Sequence, residues 1–491
     1  MISRRISGLV AVIAVAMVAA CGGSAPEAKA PTSTAKPKTG SADEVHAAAA
    51  KKFDTALAEV ARRDEKADWN DAACTNVAQQ FLDAVKEQKD ATGQTLPEAL
   101  YNAGIAYQRC SKHDDAKAQF QAALSASQSF HRAKVQLALY EYREKGDAVL
   151  DQTITRLNDA VIEAKFQNVD ALVNLAMLMM KRNGPNRSQG CNDDMECAKL
   201  NVQRAMAIDD GYMPAFNQLA LYYMNQARAR AKRGSESGQK RRLVAADTEQ
   251  SVLNGQMLDL AALVCSQAIR KNAKYGPIYN TFGLIQVEQK NINGAVQAFN
   301  SARTLDPNFF EAQMNYAAVN LSFRGFDKAE EAYRAALKMQ PNSYEGRLGL
   351  ALAIRGQIND SNLDANMAAA DAELQKAKQI DPNRPEAFYN EAILLQEFKA
   401  KYMMDSTAAQ IGLYESAAKM FDSFITKAGS APEYAAAVKN SKDRKEDMKK
   451  MIDFIREGER IEAEQKKFEA EQKKQGANPP APAPSSEGDS K

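Results

Sequence analysis

Small and large apolar residues recur along this 491-residue chain with a helical spacing and a longer, fixed period. The clearest pair of segments shares the order small, aromatic, small, proline, and the two segments lie 34 residues apart. The first comprises Ala295, Phe299, Ala302 and Pro307, and the second comprises Ala329, Tyr333, Ala336 and Pro341. Spacings of three and four residues place side chains on one helix face, and proline after a helix prevents its continuation. The pattern predicts helices joined in pairs by short turns.

Less regular copies of the same pattern cover about two thirds of the chain. The best of them runs without a gap through Leu100, Ala103, Gly104, Tyr107, Ala116, Phe120 and Ala123. Other copies carry insertions, the longest near 184–196 and 228–256. Small residues let two paired helices approach closely, and large residues fill the space around them. We therefore predict about eight helical hairpins between residues 97 and 428.

The period and the order of small, aromatic and proline residues resemble the tetratricopeptide repeat. The resemblance implies an all-α, right-handed superhelical solenoid whose first helices line a concave groove. In that family, positions two, five, nine, twelve and thirteen of the first helix tend to face the groove, and asparagine at position six can hold a bound peptide backbone. The expected groove contacts are Tyr101, Asn102, Arg109, Asn280, Met314, Asn315, Arg355, Tyr389 and Asn390.

The residue type at position two differs from that in the family members that bind a terminal carboxylate. Those members carry lysine or arginine at positions two and five. Here position two is glutamate in four repeats, at Glu98, Glu311, Glu345 and Glu386. The resemblance therefore does not extend to a carboxylate clamp.

The N-terminus has the features of a secretion signal. Arg4 and Arg5 precede an apolar run, Ile6 to Ala20, that is too short to span a bilayer comfortably. The run ends in Val-Ala-Ala-Cys, which resembles a bacterial lipobox with Cys21 as the lipidated residue. We expect a signal peptide over 1–20 and a lipid-anchored, Pro-rich tether over 21–41. Glycine follows Cys21 where aspartate would resemble an inner-membrane retention signal, so the expected location is the outer membrane, facing the periplasm.

The charge balance and the residue types limit the function classes. The chain has 64 Lys and Arg against 62 Asp and Glu, and removal of Arg4 and Arg5 with the signal leaves 62 of each sign. A neutral chain lacks the basic face expected of a nucleic-acid-binding protein. Only three histidines are present, and no phosphate-binding glycine loop or nucleophile elbow is found. The sequence predicts no catalysis, no cofactor other than the lipid on Cys21, and no metal.

Five cysteines follow Cys21, and an oxidising periplasm would favour their pairing. Antiparallel packing of two neighbouring helices would bring Cys74 near Cys110, and Cys191 and Cys197 could close a small loop. Cys265 is left over, and its apolar neighbours suggest a buried small side chain. The acidic residues Asp193, Asp194 and Glu196 do not have the spacing of a calcium loop.

The segments on either side of the solenoid differ from it. Residues 42–96 are expected to form N-terminal helices before the solenoid at 97–431. Residues 432–475 are strongly charged and form a predicted helix whose seam comprises Met451, Phe454, Ile461 and Phe468. That helix could cap the solenoid and continue into a weak coiled coil, or stand as a solvated single helix. Residues 476–491 form a Pro, Ala and Ser tail that we expect to be disordered.

The whole layout resembles the tetratricopeptide lipoproteins of myxobacterial envelope machines, in particular those of adventurous gliding motility. That resemblance implies a non-enzymatic scaffold whose partners are envelope proteins of a motility or pilus assembly. Two alternatives stay open. One is a pilotin-like assembly factor for the secretin of a type IV pilus or a secretion system. The other, from a different class, is a solute- or glycan-binding lipoprotein that holds a small ligand in the groove.

Overall fold

The computed structural model describes residues 45–66, 68–186, 188–236, 244–402 and 406–476. The predicted signal peptide, Cys21, the tether over 21–41 and the tail beyond Gly476 lie outside these residues. The chain divides into two compact units, whose described parts lie within 45–312 and 313–476. Each unit is described separately below.

The first unit consists of consecutive helices, joined mostly by short turns. Helices α1 and α2 form an N-terminal hairpin ahead of the predicted solenoid. The helices are α1 (Ala47–Lys66), α2 (Asp71–Thr92), α3 (Pro97–Arg109), α4 (His113–Ala126), α5 (His131–Lys145), α6 (Leu150–Glu163), α7 (Val169–Arg182), α8 (Asp194–Ile208), α9 (Met213–Glu236), α10 (Val244–Lys271), α11 (Gly276–Glu288) and α12 (Ile292–Leu305).

Helix α13 (Phe310–Ser322) crosses the division, and the second unit continues the same architecture. Its helices are α14 (Phe326–Met339), α15 (Tyr344–Gly356), α16 (Leu363–Ile380), α17 (Glu386–Leu394), α18 (Ala400–Tyr402), α19 (Thr407–Ala428) and α20 (Ala435–Gly476). A π-helical turn, Leu395–Lys399, joins α17 to α18. Between residues 97 and 428 the described helices form eight hairpins, so the all-α repeat prediction and its number of hairpins are confirmed.

The spacing of small and aromatic residues explains how the two helices of a hairpin pack. A methyl group added at Gly104 would lie 2.6 Å from the ring of Phe120, and one added at Gly283 would lie 2.5 Å from the ring of Phe299. The alanines of the second helices are likewise fully buried, at Ala116, Ala123, Ala295, Ala302, Ala329, Ala336, Ala370 and Ala377. Close packing of this kind leaves no room for larger side chains at these positions.

Both insertions have a defined local structure where they are described. The segment at 228–256 prolongs a hairpin: α9 has 24 residues and α10 has 28, whereas α11 and α12 have 13 and 14. The segment at 184–196 forms an isolated bridge between Pro185 and Asp193 and a short 3-10 turn, Ser188–Gly190. Neither insertion interrupts the succession of hairpins.

The last helix, α20, is the longest, with 42 residues. Its N-terminal half packs against α19 through Ala437 and Met448, whereas the side chains from Arg456 to Lys473 are all exposed. None of the helices in the described part of the chain has the length and hydropathy needed to cross a bilayer.

Candidate partner-binding surface

Tyr101, at position five of α3, lies inside the first unit. Its side chain is fully buried, and its ring centroid lies 5.5 Å from that of Phe120 and 5.6 Å from that of Phe130. Burial raises the pKa of its hydroxyl. The structure therefore corrects the expectation that Tyr101 contacts a partner, because this ring fills the space between two successive hairpins.

Asn102 and Asn280 are also poorly placed for partner contact. The exposed fraction is 1% for Asn102 and 8% for Asn280. A buried amide meets the backbone of a partner only if the side chains that cover it move away. The expectation of a groove contact is corrected for both residues, whose amides lie within the packed helices.

Arg109 is partly exposed but is held by the N-terminal hairpin. Asp64 accepts hydrogen bonds from its Nε at 3.1 Å and from its Nη2 at 2.6 Å. The guanidinium also lies 5.0 Å from the ring centroid of Trp69, a distance at which cation–π attraction contributes. Arg109 therefore links α3 to the end of α1 and to the turn that follows it.

In the second unit, Arg355 and Asn390 join the first helices of two neighbouring hairpins. Arg355 at position twelve of α15 donates from Nη1 to Asn390 Oδ1 at 3.1 Å. Asn390 in turn donates from Nδ2 to the carbonyl of Glu386, one turn earlier in α17, at 2.8 Å. Asn390 is 4% exposed, so its expected role in holding a bound backbone is corrected. It positions Arg355, which remains half-buried.

The cluster extends onto the C-terminal helix through Tyr389 and Arg444. Tyr389 donates from its hydroxyl to Asn440 Oδ1 at 3.2 Å, and Arg444 donates to the same oxygen at 3.0 Å. Arg444 also donates to Gln396 at 2.8 Å and to Glu397 at 2.7 Å. Gln396 and Glu397 lie on the π-helical turn, a local geometry that is frequent at functional sites.

The charges of this cluster favour the binding of an anion. Burial lowers the pKa of the Arg355 guanidinium to about 10, with Arg444 acting in the same direction and Tyr389 against it. Among the described residues, no carboxylate forms an ion pair with Arg355. A half-buried guanidinium without a counter-charge is costly. The arrangement is therefore suited to receive a carboxylate from outside the chain.

The glutamates at position two of the second unit hold neighbouring helices together. Glu386 is 6% exposed and accepts from Arg384 at 3.1 Å, from the Tyr434 hydroxyl at 2.9 Å and from the Tyr344 hydroxyl at 3.3 Å. Burial by itself would raise the pKa of Glu386, but these donors, led by Arg384, hold it below its usual range. The glutamate found at this position in the sequence thus has a structural role.

Met314 and Asn315 on α13 are half-buried. Tyr389 is 8% exposed and packs on Phe421 and Phe424, so its expected groove contact is corrected.

Of the nine expected contacts, Arg355, Tyr389 and Asn390 belong to the charged cluster, and Arg355 is the least buried of the three. Sequence reasoning did not group it with Asn440 and Arg444, because these residues lie on α20, outside the hairpin repeat. The i, i+4 spacing of Asn440 and Arg444, which places both on one face of α20, was the only sequence feature that pointed to a shared site.

The structure joins the four cysteines that were expected to pair. Cys74 and Cys110 form a disulfide with a Cα–Cα distance of 6.2 Å, and Cys191 and Cys197 form another at 5.4 Å. Cys265 is a free thiol with no exposed surface, and burial raises its pKa to about 12. A thiol in this state is a poor nucleophile.

In the acidic loop before Cys197, the carboxylates of Asp193 and Asp194 accept hydrogen bonds from other groups of this chain. Asp194 is fully buried and accepts from Arg182 Nη2 at 2.6 Å, from the amide of Gly184 at 2.8 Å and from Asn186 at 2.8 Å. Asp193 caps α8 by accepting from the amide of Glu196 at 2.8 Å. These carboxylates are oriented by donors of the protein itself.

Comparisons with known proteins found one matching family model and a number of similar solved structures. The tetratricopeptide-repeat family model matches residues 97–130, which comprise α3, α4 and the following turn. A thermophilic tetratricopeptide-repeat protein of Thermus thermophilus is 21% identical over 46% of this chain and 99% of its own, with a TM-score of 0.36.

Two further solved structures share fewer identical residues. Pseudomonas aeruginosa pilF is 16% identical over 54% of this chain and 94% of its own, with a TM-score of 0.36. Human IFIT1, solved as a dimer with PPP-AAAA, is 17% identical over 74% of this chain and 77% of its own, with a TM-score of 0.45. None of the curated proteins compared with the sequence matches it significantly.

Proposed function

We propose that this chain is a non-enzymatic protein-interaction scaffold, anchored by a lipid on Cys21 to the outer membrane and facing the periplasm. Its role would be to assemble or stabilise an envelope complex, with a gliding-motility machine as the first candidate. The lipobox-like residues before Cys21 and the Pro-rich tether support the anchor. The tetratricopeptide repeat at 97–130 and the eight hairpins support an interaction scaffold.

The observation that carries the proposal is the cluster around Arg355. The guanidinium lies on a first helix, is half-buried, is fixed by Asn390 and lacks an ion-pair partner among the described residues. An acidic side chain of a partner protein would supply the missing charge in a fixed geometry. We therefore expect the second unit to bind a partner segment that carries an aspartate or glutamate.

The contacts of the histidines support the non-enzymatic part of the proposal. His113 Nδ1 lies 3.2 Å from the Tyr140 hydroxyl, and His131 Nδ1 lies 3.0 Å from Glu163. Both pairs join neighbouring helices. General acid–base catalysis instead needs a residue that reaches a substrate, so these imidazoles are better explained as packing and bonding elements.

Replacement of Arg355 by Gln should remove the partner while leaving the fold intact. The test is a crosslinked pull-down from the native cells with the mature protein as bait, followed by mass spectrometry. Arg334→Gln is the matched control, because Arg334 is exposed on α14 and forms its ion pair with Glu330 of the same helix. We expect periplasmic and outer-membrane proteins of one machine to be recovered with the control and lost, by at least about tenfold, with Arg355→Gln.

Equal recovery with both variants would contradict a role for the cluster. A co-purifying glycan or small molecule without any reproducible protein would instead favour the solute-binding alternative. Circular dichroism of the two variants checks that both remain helical, so that a loss of capture is not caused by unfolding.

The variant Cys21→Ser should release the protein from membranes. The thioether lipid needs the cysteine sulfur, and without acyl chains the apolar surface that anchors the chain is lost. Fractionation of cells that express the variant should move the protein from the outer-membrane pellet to the soluble periplasmic fraction. Continued sedimentation with membranes would contradict a lipid anchor at Cys21.

A further inference from the structure

The C-terminal helix α20 has two apolar faces, of which the protein uses one. The packed face comprises Ala437, Met448, Ile452 and Ile455, which contact the core formed with α19. Ala437 and Met448 are 8% and 2% exposed. This face fixes α20 on the second unit over its first half.

The other apolar face projects into solvent. Phe454 is 75% exposed, Ile461 47% and Phe468 62%. We call these three residues the heptad seam, because they are spaced by seven residues. At 100° per residue they lie within about 40° of one another and about 140° from the packed face. Phe454 is exposed although the adjacent Ile455 is packed, so its exposure follows from its direction and not from fraying of the helix.

Exposure of two phenylalanines and an isoleucine in one line is unusual for a surface that remains free. The three residues supply one large apolar side chain per heptad, with Gly458 and Gln465 at the a positions between them, so they form the d half of the a and d pattern by which α-helices pack along each other. The two intervals of the seam span about 21 Å of helix. The geometry therefore indicates a helix, laid lengthwise, as the occupant.

The charges beside the seam identify the chemistry of that helix. On one edge lie Glu457, Glu464 and Glu471, and on the other lie Glu462 and Glu469. These residues occupy the e and g positions of the heptad in which Phe454, Ile461 and Phe468 occupy position d. All five flanking positions from 457 to 471 are thus negative.

The basic residues of the same segment do not cancel this edge charge. Arg460 and Lys467 lie outside the edge formed by Glu457 and Glu464, at about 100° from the neighbouring seam residue against about 60° for these glutamates. Arg460 pairs with Glu457 at 2.7 Å, and Lys466 lies 3.7 Å from Glu462, but all four side chains are at least half exposed. Exposed pairs of this kind contribute little to stability, so the glutamates can exchange these partners for others.

A second copy of this chain fits the seam poorly. A parallel pair would place the g glutamates of one helix against the e glutamates of the other. An antiparallel pair would place g against g and e against e. Both orientations bring glutamate against glutamate, and like charges at these positions oppose association.

We propose that the heptad seam binds an amphipathic helix of another protein, one whose apolar stripe is flanked by lysine or arginine. This site is separate from the Arg355 cluster and has the opposite charge preference. One chain would then hold an acidic segment at the cluster and a basic-flanked helix at the seam.

The test uses the full mature chain carrying Cys21→Ser and a synthetic helical peptide as the probe. The peptide has three heptads with isoleucine or leucine at positions a and d and lysine at e and g. Two matched peptides serve as controls, one with glutamate at e and g, and one with the lysine peptide's composition in a scrambled order. Binding is measured by fluorescence anisotropy at about 0.15 M salt, where screening is physiological.

We expect the lysine-flanked peptide to bind at least about tenfold more tightly than either control peptide. The triple variant Phe454→Gln/Ile461→Gln/Phe468→Gln should lose this binding by a similar factor. Arg460→Gln/Lys467→Gln, altered outside the edge formed by Glu457 and Glu464, should retain it. The Arg355→Gln protein should also retain it, which separates a failure here from a failure of the proposed groove.

Three results would overturn the proposal. One is equal binding of the lysine-flanked and scrambled peptides. Another is a dimer in sedimentation velocity that the triple variant abolishes, which would make a second copy the occupant. The third is co-sedimentation with phosphatidylglycerol vesicles that depends on the three seam residues, which would make a lipid surface the occupant.

Discussion

The double variant Cys74→Ala/Cys110→Ala should lower the free energy of unfolding of the first unit by about 4 kcal/mol. The disulfide closes a loop with a sequence separation of 36 residues, and the loss of chain entropy in the unfolded state grows with the logarithm of loop length. The bond also joins α2 to the end of α3 and so holds the N-terminal hairpin on the array. A terminal hairpin packs against only one neighbouring hairpin, so this disulfide supplies a large part of its stability.

The second disulfide provides the internal comparison. Cys191 and Cys197 have a sequence separation of 6, and the same relation gives about 2 kcal/mol for Cys191→Ala/Cys197→Ala. Urea unfolding followed by circular dichroism measures both variants, and hydrogen exchange locates the effect. Faster exchange should be confined to α1 and α2 in the first variant and to α8 and the loop before it in the second. A larger loss from the shorter loop would contradict the entropic account.

The hairpin repeat could be predicted because its determinants are local. Phe120 and Phe299 each need a residue without a side chain opposite them, and Gly104 and Gly283 occur at that spacing in the sequence. Because this steric requirement acts within one hairpin, it fixes the number of residues between the glycine and the phenylalanine, and this spacing can be recognised in the sequence. The number of hairpins then follows from the length of the repeating region.

The direction of side chains between hairpins could not be predicted in the same way. Tyr101 and Asn102 occupy positions that face the groove in the family, yet both are buried. Whether such a residue faces inward depends on the ring that follows it in the next hairpin, here Phe130, and on the angle between the hairpins. Neither is encoded in a single repeat.

The cluster around Arg355 was missed for a related reason. Its members Asn440 and Arg444 belong to α20, whose sequence predicted a charged helix but not the face that it presents to α17. The heptad seam, in contrast, was visible in the sequence, because Phe454, Ile461 and Phe468 are set by the period of α20 alone. The structure added that this seam lies away from the packed face.

The inward orientation of Asp194 also could not be predicted from the sequence, which showed only three acidic residues in one loop. The structure gives Asp194 four donor atoms and full burial. Burial alone would raise the pKa of its carboxyl, but the hydrogen bonds from Arg182, Gly184 and Asn186 outweigh it and lower the pKa. The carboxylate therefore stabilises the folded loop in its charged form.

Asp194→Asn should accordingly destabilise the loop and α8 by about 3–5 kcal/mol, because it removes one partner of a buried ion pair and leaves the donors of Arg182 poorly matched. The control is Asp151→Asn. Asp151 pairs with the same arginine at 2.9 Å, but its side chain is 82% exposed, so its loss should cost at most about 1 kcal/mol. Urea unfolding at pH 7, with hydrogen exchange over 194–208, measures both variants.

The pH dependence separates the charge of Asp194 from its packing. Because the folded-state pKa lies below the unfolded value of about 3.9, the stabilisation is fully present above that value and is lost as the pH falls through the folded pKa. The difference in unfolding free energy between the unaltered protein and Asp194→Asn should thus be constant near neutral pH and shrink in acid. A difference that stays the same down to about pH 2, well below the unfolded pKa, would mean that Asp194 acts through shape and neutral hydrogen bonds, and not through its charge.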